Sequence, residues 1–250
     1  MRETEPGVST RSKSGWPLAL DLAAGFAAAL ALALSLRAWL ESSPGWVAGA
    51  VGAYLVLAAM VYGAWNAGRT GDDFGWANRV TLARAVLVAV LAGVCAAPEL
   101  VRQHGIVLAS LAFAAIALDG LDGWLARMLD GASRFGARFD MEIDALLLLV
   151  LSIVVMLADR AGAWVLAIGG MRYAFVLAGA MLPWLQRELP PSTWRKAVCV
   201  AQGLVLAAAL LPWLPGLLAK SALAVALAAL AHSFGRDTLW LWRHRADGHR

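Results

Sequence analysis

Residues 119–144 read DGLDGWLARMLDGASRFGARFDMEID, and four carboxylates stand in them at fixed spacings: Asp119, Asp122, Asp140 and Asp144. Asp119 and Asp122 are three residues apart and Asp140 and Asp144 four, so on helices each pair projects from one face. Between the pairs lies Gly131 to Gly136, GASRFG, which has the residues of a turn. Two helices joined by a short turn run antiparallel, and the two pairs then converge. Converging carboxylates repel one another unless cations sit between them. Oxygen-only ligands suit Mg²⁺, Mn²⁺ or Ca²⁺ and not zinc. A single acid near a membrane face is often just a solvated loop residue. Four at this spacing, flanked by apolar runs, favour a functional cluster, because an ionisable residue within a span is costly.

The surroundings of that stretch are apolar enough to define the class. The chain has 250 residues, of which 61% are hydrophobic, and a mean hydropathy of +0.68. A soluble domain of this length is less apolar. Leu and Ala dominate, which favours helices over a β-barrel. The fold class is therefore all-α, a polytopic transmembrane helical bundle. Apolar runs of spanning length fall at about 17–40, 45–65, 79–98, 105–127, 137–158, 162–185, 196–214 and 217–240. The first has a basic flank like a signal peptide but is too long for an h-region of about 7–15 residues, so it is expected to be retained.

Loop charges set the orientation. One side carries Arg2, Arg11, Lys13, Arg69, Arg79, Arg127, Arg134, Arg138, Arg187, Arg195, Lys196, Arg236, Arg243, Arg245 and Arg250, while the other carries Arg37, Arg102, Arg160 and Lys220. Both termini and the acidic stretch are therefore expected in the cytoplasm of a cell with an inner (plasma) membrane. The formal charge of +4 then reflects this bias and no nucleic-acid partner. Residues 1–15 are polar and expected to be disordered; 16–66 hold two N-terminal spans, and 244–250 form a basic tail suited to anionic lipid heads. The tryptophans lie near span ends, as interfacial anchors do. Residues 66–77, NAGRTGDDFGWA, read as a surface helix or loop, and Asp72 and Asp73 as part of an exposed linker. Cys95 and Cys199 have no metal or redox spacing and read as small core residues. No P-loop, dinucleotide fingerprint, Ser-His-Asp arrangement or histidine ligand set is present.

The acidic stretch resembles the signature of the CDP-alcohol phosphatidyltransferases, D-x2-D-G-x2-A-R-x8-G-x3-D-x3-D. Asp119, Asp122, Gly123, Ala126, Arg127, Gly136, Asp140 and Asp144 meet every fixed position. Upstream, Asn78, Thr81 and Arg84 match the N-x2-T-x2-R that opens the first core span in the family. The resemblance covers roughly residues 70–240 and implies a six-helix catalytic core over 67–243, with the two N-terminal spans as additions. It implies transfer of the phosphatidyl group of CDP-diacylglycerol to an alcohol, with CMP released, in phospholipid biosynthesis. It further implies two divalent ions, Mg²⁺ or Mn²⁺, held mainly by Asp119, Asp122 and Asp140. Asp144 is then base, metal ligand or both. Asn78, Thr81, Arg84, Gly123, Ala126 and Arg127 would hold the nucleotide, Gly123 and Ala126 by opening a slot or by allowing close helix packing. Arg127 either binds a phosphate or pairs with Asp130. Arg134, Arg195 and Lys196 set topology or bind a phosphorylated acceptor. Arg172, within the sixth span, either pairs with a signature Asp or binds an anionic acceptor. A homodimer in the bilayer is also implied. Two rivals stand beside this reading. One is a transporter with an intramembrane acidic ion site, which would spread charge toward both faces. The other is a non-catalytic family member that binds nucleotide or scaffolds partners, which would be free to lose the acids.

Overall fold

In lipid every backbone N–H and C=O must be satisfied within the chain, and a helix does this within one segment. The apolar runs accordingly fold as helices. The computed structural model describes residues 18–67, 74–128, 134–187, 189 and 192–245, with the side chains of 121–128 and 134 excepted. Nine α-helices and no strand occur among the described residues: α1 (Leu18–Trp39), α2 (Gly45–Ala67), α3 (Trp76–Val94), α4 (Pro98–Gln103), α5 (Gly105–Met128), α6 (Arg134–Leu157), α7 (Leu166–Met181), α8 (Thr193–Ala209) and α9 (Gly216–Arg243). Eight of these correspond to the expected spans. Five, namely α1, α2, α3, α7 with the short 3-10 turn before it, and α9, are long and apolar enough to cross a membrane by length and composition.

Proline and capping groups mark the breaks. Pro98 opens the short α4, which the sequence reading did not separate from its neighbours, and a proline at the first helical position needs no N–H partner. Pro215 precedes α9, and the Ser192 side chain caps α8 by accepting from the Arg195 backbone N–H. Gly75, before α3, has φ of 81°, a conformation that side chains with a Cβ rarely adopt. Of the expected turn over Gly131–Gly136, residues 131–133 lie outside the described residues, and α6 already begins at Arg134. Packing of Phe135 against Trp65, at 5.1 Å between ring centroids, accounts for the earlier start. The expectations for 1–15, for the linker acids Asp72 and Asp73, and for the tail beyond Arg245 lie outside the described residues.

α3 is the hub of the bundle. Its apolar window is 67% buried, against 17% for α1 and 22% for α2. It packs on α1, α2, α5 and α6. Exposed large apolar residues on the outer helices, such as Val56, Met60, Leu177 and Val225, face outward as a lipid solvent requires. Trp46 departs from the expected interfacial role: it is fully buried, and its Nε1 donates to Ser42 Oγ at 2.9 Å.

Candidate active site

Helix α3 meets α5 and α6 along the face that carries Asn78, Thr81 and Arg84. Asn78 and Thr81 are buried. Asn78 Nδ2 donates to Phe74 O, just ahead of the helix, at 2.5 Å, and Thr81 Oγ1 to Ala77 O in the first turn at 3.1 Å. Arg84, 1% exposed, reaches across to both neighbouring helices. Its Nη1 lies 2.9 Å from Asp119 Oδ1 on α5 and 2.5 Å from Asp140 Oδ1 on α6. Its Nη2 donates to Asp144 Oδ1. The sequence grouped Arg84 with nucleotide-binding residues. That its guanidinium joins three carboxylates on two other helices follows only from helix packing.

The three acids form one cluster. One oxygen of each of Asp119, Asp140 and Asp144 lies within 4.8 Å of the others. The side chains of Asp122, Gly123, Ala126, Arg127 and Arg134, all expected near this point, lie outside the described residues. The donor set suits a hard divalent cation, since it is all oxygen and contains no sulfur or imidazole. The charge balance points the same way. Among the described side chains one guanidinium faces three carboxylates, so the ionised cluster keeps a surplus of negative charge that a cation would offset.

Two of the outlying basic residues, Arg172 and Arg195, have protein partners. Arg172 on α7 pairs with Glu142 on α6, Nη2 to Oε1 at 2.5 Å, and among the described side chains not with Asp119, Asp140 or Asp144. Glu142 is two residues past Asp140, on another side of the same helix, which separates it from the cluster. Arg195 lies 3.5 Å from Asp237 on α9, and Lys196 is exposed. The sequence reading missed Glu142 and Asp237. The available signal was depth: Glu142 is eight residues into α6 from the end that holds the signature, and Arg172 is nine residues from that same end of α7. At the far end of the bundle, Arg160 donates to the carbonyls of Ala209, Leu211 and Leu214. It satisfies the last carbonyl of α8 and two carbonyls of the segment that follows, as well as adding positive charge. Arg102 pairs there with Asp159 and Glu99.

Among the described residues, the fold and site define a helical bundle with spanning-length helices and an oxygen-only acid cluster on the consecutive helices α5 and α6. The family model for CDP-alcohol phosphatidyltransferase matches residues 74–234, and the chain belongs to that family. It is thus an enzyme of the class that transfers a phosphatidyl group from a CDP-alcohol to an acceptor. No curated protein and no solved structure matches the chain. The matched region begins at the start of α3 and ends within α9, so α1 and α2 lie outside it.

Proposed function

We propose that the protein transfers the phosphatidyl group of CDP-diacylglycerol to the hydroxyl of an alcohol and releases CMP. The observation that carries this reading is the convergence of Asp119, Asp140 and Asp144 on Arg84 inside the matched family region. Asp119, Asp122 and Asp140 would hold two divalent ions, with Asp144 at the edge of the set. Bound there, Mg²⁺ or Mn²⁺ would neutralise the diphosphate and stabilise the leaving oxygen.

The chain's own residues then divide the remaining work. Asp144 accepts the proton of the incoming hydroxyl. The hydroxyl oxygen forms a bond to the phosphorus that bears the diacylglycerol. The bond from that phosphorus to the bridging oxygen breaks, and the oxygen leaves on CMP. Arg84 holds Asp140 and Asp144 in one position relative to Asp119, which fixes the distance between the proton acceptor and the cation-holding groups. Asn78, Thr81, Gly123, Ala126 and Arg127 border the nucleotide. An anionic acceptor would be held by Arg134, Arg172, Arg195 and Lys196, sharing Arg172 with Glu142 and Arg195 with Asp237. Exposed apolar flanks keep the acyl chains in the bilayer while the headgroup reacts at its surface.

The test is to incubate the purified protein with CDP-diacylglycerol, Mg²⁺ or Mn²⁺, and a panel of glycerol 3-phosphate, inositol phosphate, phosphatidylglycerol and serine. CMP release and the lipid product are followed together. One acceptor is expected to support CMP release, EDTA to abolish it, and added Mg²⁺ or Mn²⁺ to restore it. Undiminished turnover after thorough chelation overturns the metal assignment. Absence of CMP release with every acceptor overturns the choice of donor.

A further inference from the structure

The α1–α2 hairpin lies outside the matched family region, yet it touches α3, which carries Arg84, and α6, which carries Asp140 and Asp144. Its first arm is electrostatic. Asp21 is the one acid in an otherwise Ala- and Leu-rich spanning helix, in its first turn. An acid at a helix N-terminus is favoured by the dipole, but its burial demands a partner. Asp21 meets Arg79 through two contacts, Nε to Oδ1 at 2.9 Å and Nη2 to Oδ2 at 3.4 Å. The side chains are only 12% and 18% exposed. A two-point Arg–carboxylate pair fixes orientation as well as distance. Arg79 stands between Asn78 and Thr81 on the first turn of α3. That turn begins at Gly75, which supplies no side-chain cap.

Its second arm is aromatic. Trp65, near the end of α2, lies edge-on to Phe74 at 5.6 Å and to Phe135 at 5.1 Å. Phe135 continues to Phe139 at 5.9 Å, and Phe139 adjoins Asp140. The arms are joined to each other, because Tyr54 of α2 donates its hydroxyl to the Leu22 carbonyl of α1 at 2.9 Å. Gly25 makes the room: a Cβ there would stand 2.0 Å from the Tyr54 oxygen.

We infer that the α1–α2 hairpin is a positioning element of the active site, with Asp21 setting the place of the α3 first turn through Arg79 and Trp65 setting the start of α6. The ligand held by α3 is taken from the phosphatidyl-transfer reading above. A hairpin that served only as a membrane anchor would need neither a charge pair this little exposed at the first turn of α3 nor an aromatic contact at the start of α6.

The experiment compares the full chain in nanodiscs as wild type, Asp21→Asn and Asp21→Glu. Three quantities are read: amide hydrogen exchange over residues 76–84, CDP affinity by calorimetry at fixed Mg²⁺, and steady-state turnover. Asp21→Asn is expected to raise exchange over 76–84 and to weaken CDP binding about tenfold, as loss of a charge-assisted pair would. KM for the CDP-linked donor rises with it, while kcat changes less than about twofold, since the acid cluster itself is untouched. Asp21→Glu is expected to restore both readouts. Unchanged exchange in Asp21→Asn overturns the coupling, and raised exchange with unchanged CDP affinity overturns the positioning role. Equal loss in Asp21→Glu, with a lowered melting temperature and reduced kcat, shows a purely structural contact and also overturns it. Failure of the wild-type protein to bind CDP would instead refute the choice of donor, and the exchange comparison would still decide the coupling.

Discussion

Arg84 shares its guanidinium among Asp119, Asp140 and Asp144, so no one of these acids can be changed without moving charge at the others. Their expected roles still separate. Asp144→Asn keeps the shape and an oxygen facing Arg84 but removes the proton acceptor. Turnover is expected to fall by about 10²–10⁴-fold, the usual worth of a general base, with CDP affinity largely kept. Asp119→Asn removes a charge from the cation site, so CDP affinity at fixed Mg²⁺ is expected to fall and the Mg²⁺ concentration for half-maximal rate to rise. Calorimetry with CDP beside steady-state kinetics distinguishes the two. Near-normal rates in Asp144→Asn, or a loss of CDP binding equal to that of Asp119→Asn, would make Asp144 a cation ligand and not the base.

Among the elements, α3 is the one on which the others are assembled, and small residues decide how closely they approach. Gly49 of α2 and Gly93 of α3 face each other, and a Cβ at Gly93 would stand 2.3 Å from the Ala50 backbone nitrogen. A backbone atom cannot move aside as a side chain can. Gly93→Val is therefore expected to separate α2 from α3 and to destabilise the protein by about 1–3 kcal/mol or more. Gly63→Val, at a position with nothing within 4 Å, serves as the control. Thermal unfolding in detergent measures both, and equal melting temperatures would show that the two helices do not need this close contact. The same geometry recurs where Gly169 of α7 lies against the backbone of Leu149. Neither glycine could be told from any other in the sequence, because a close approach depends on which helices become neighbours.

For the whole molecule, the charges fall at two ends. Asp21–Arg79, the acid cluster and Arg195–Asp237 lie toward one end of the bundle, and Arg102 and Arg160 lie at the other with Asp159 and the end of α8. The excess of Arg and Lys in the loops of the first end predicts that this end is cytoplasmic. In a background lacking Cys95 and Cys199, single cysteines at positions 2 and 249 are expected to label from the cytoplasmic face. One at position 43 is expected to label from the opposite face. Labelling of position 2 only from outside would reverse the orientation, and opposite labelling of positions 2 and 249 would require an odd number of crossings.

The sequence by itself determined the all-helical membrane class, the places of the long helices and the acids of the signature. Each depends on local periodicity, run length or fixed spacing along one or two helices, which a linear chain displays directly. The pairing of Asp119 with Asp140 and Asp144 was legible for the same reason, since one short turn joins their helices. The partners of the cations within the bundle were decided by tertiary structure alone. Arg84 with the acids, Arg79 with Asp21 and Arg172 with Glu142 span 35 to 60, 58 and 30 residues of chain respectively. Each pair unites helices whose adjacency no spacing encodes. Charge depth narrows the choice of partner, because an unpaired ion is costly in an apolar medium. Only the packing of α1, α5, α6 and α7 about the bundle selects one acid among those at the same depth.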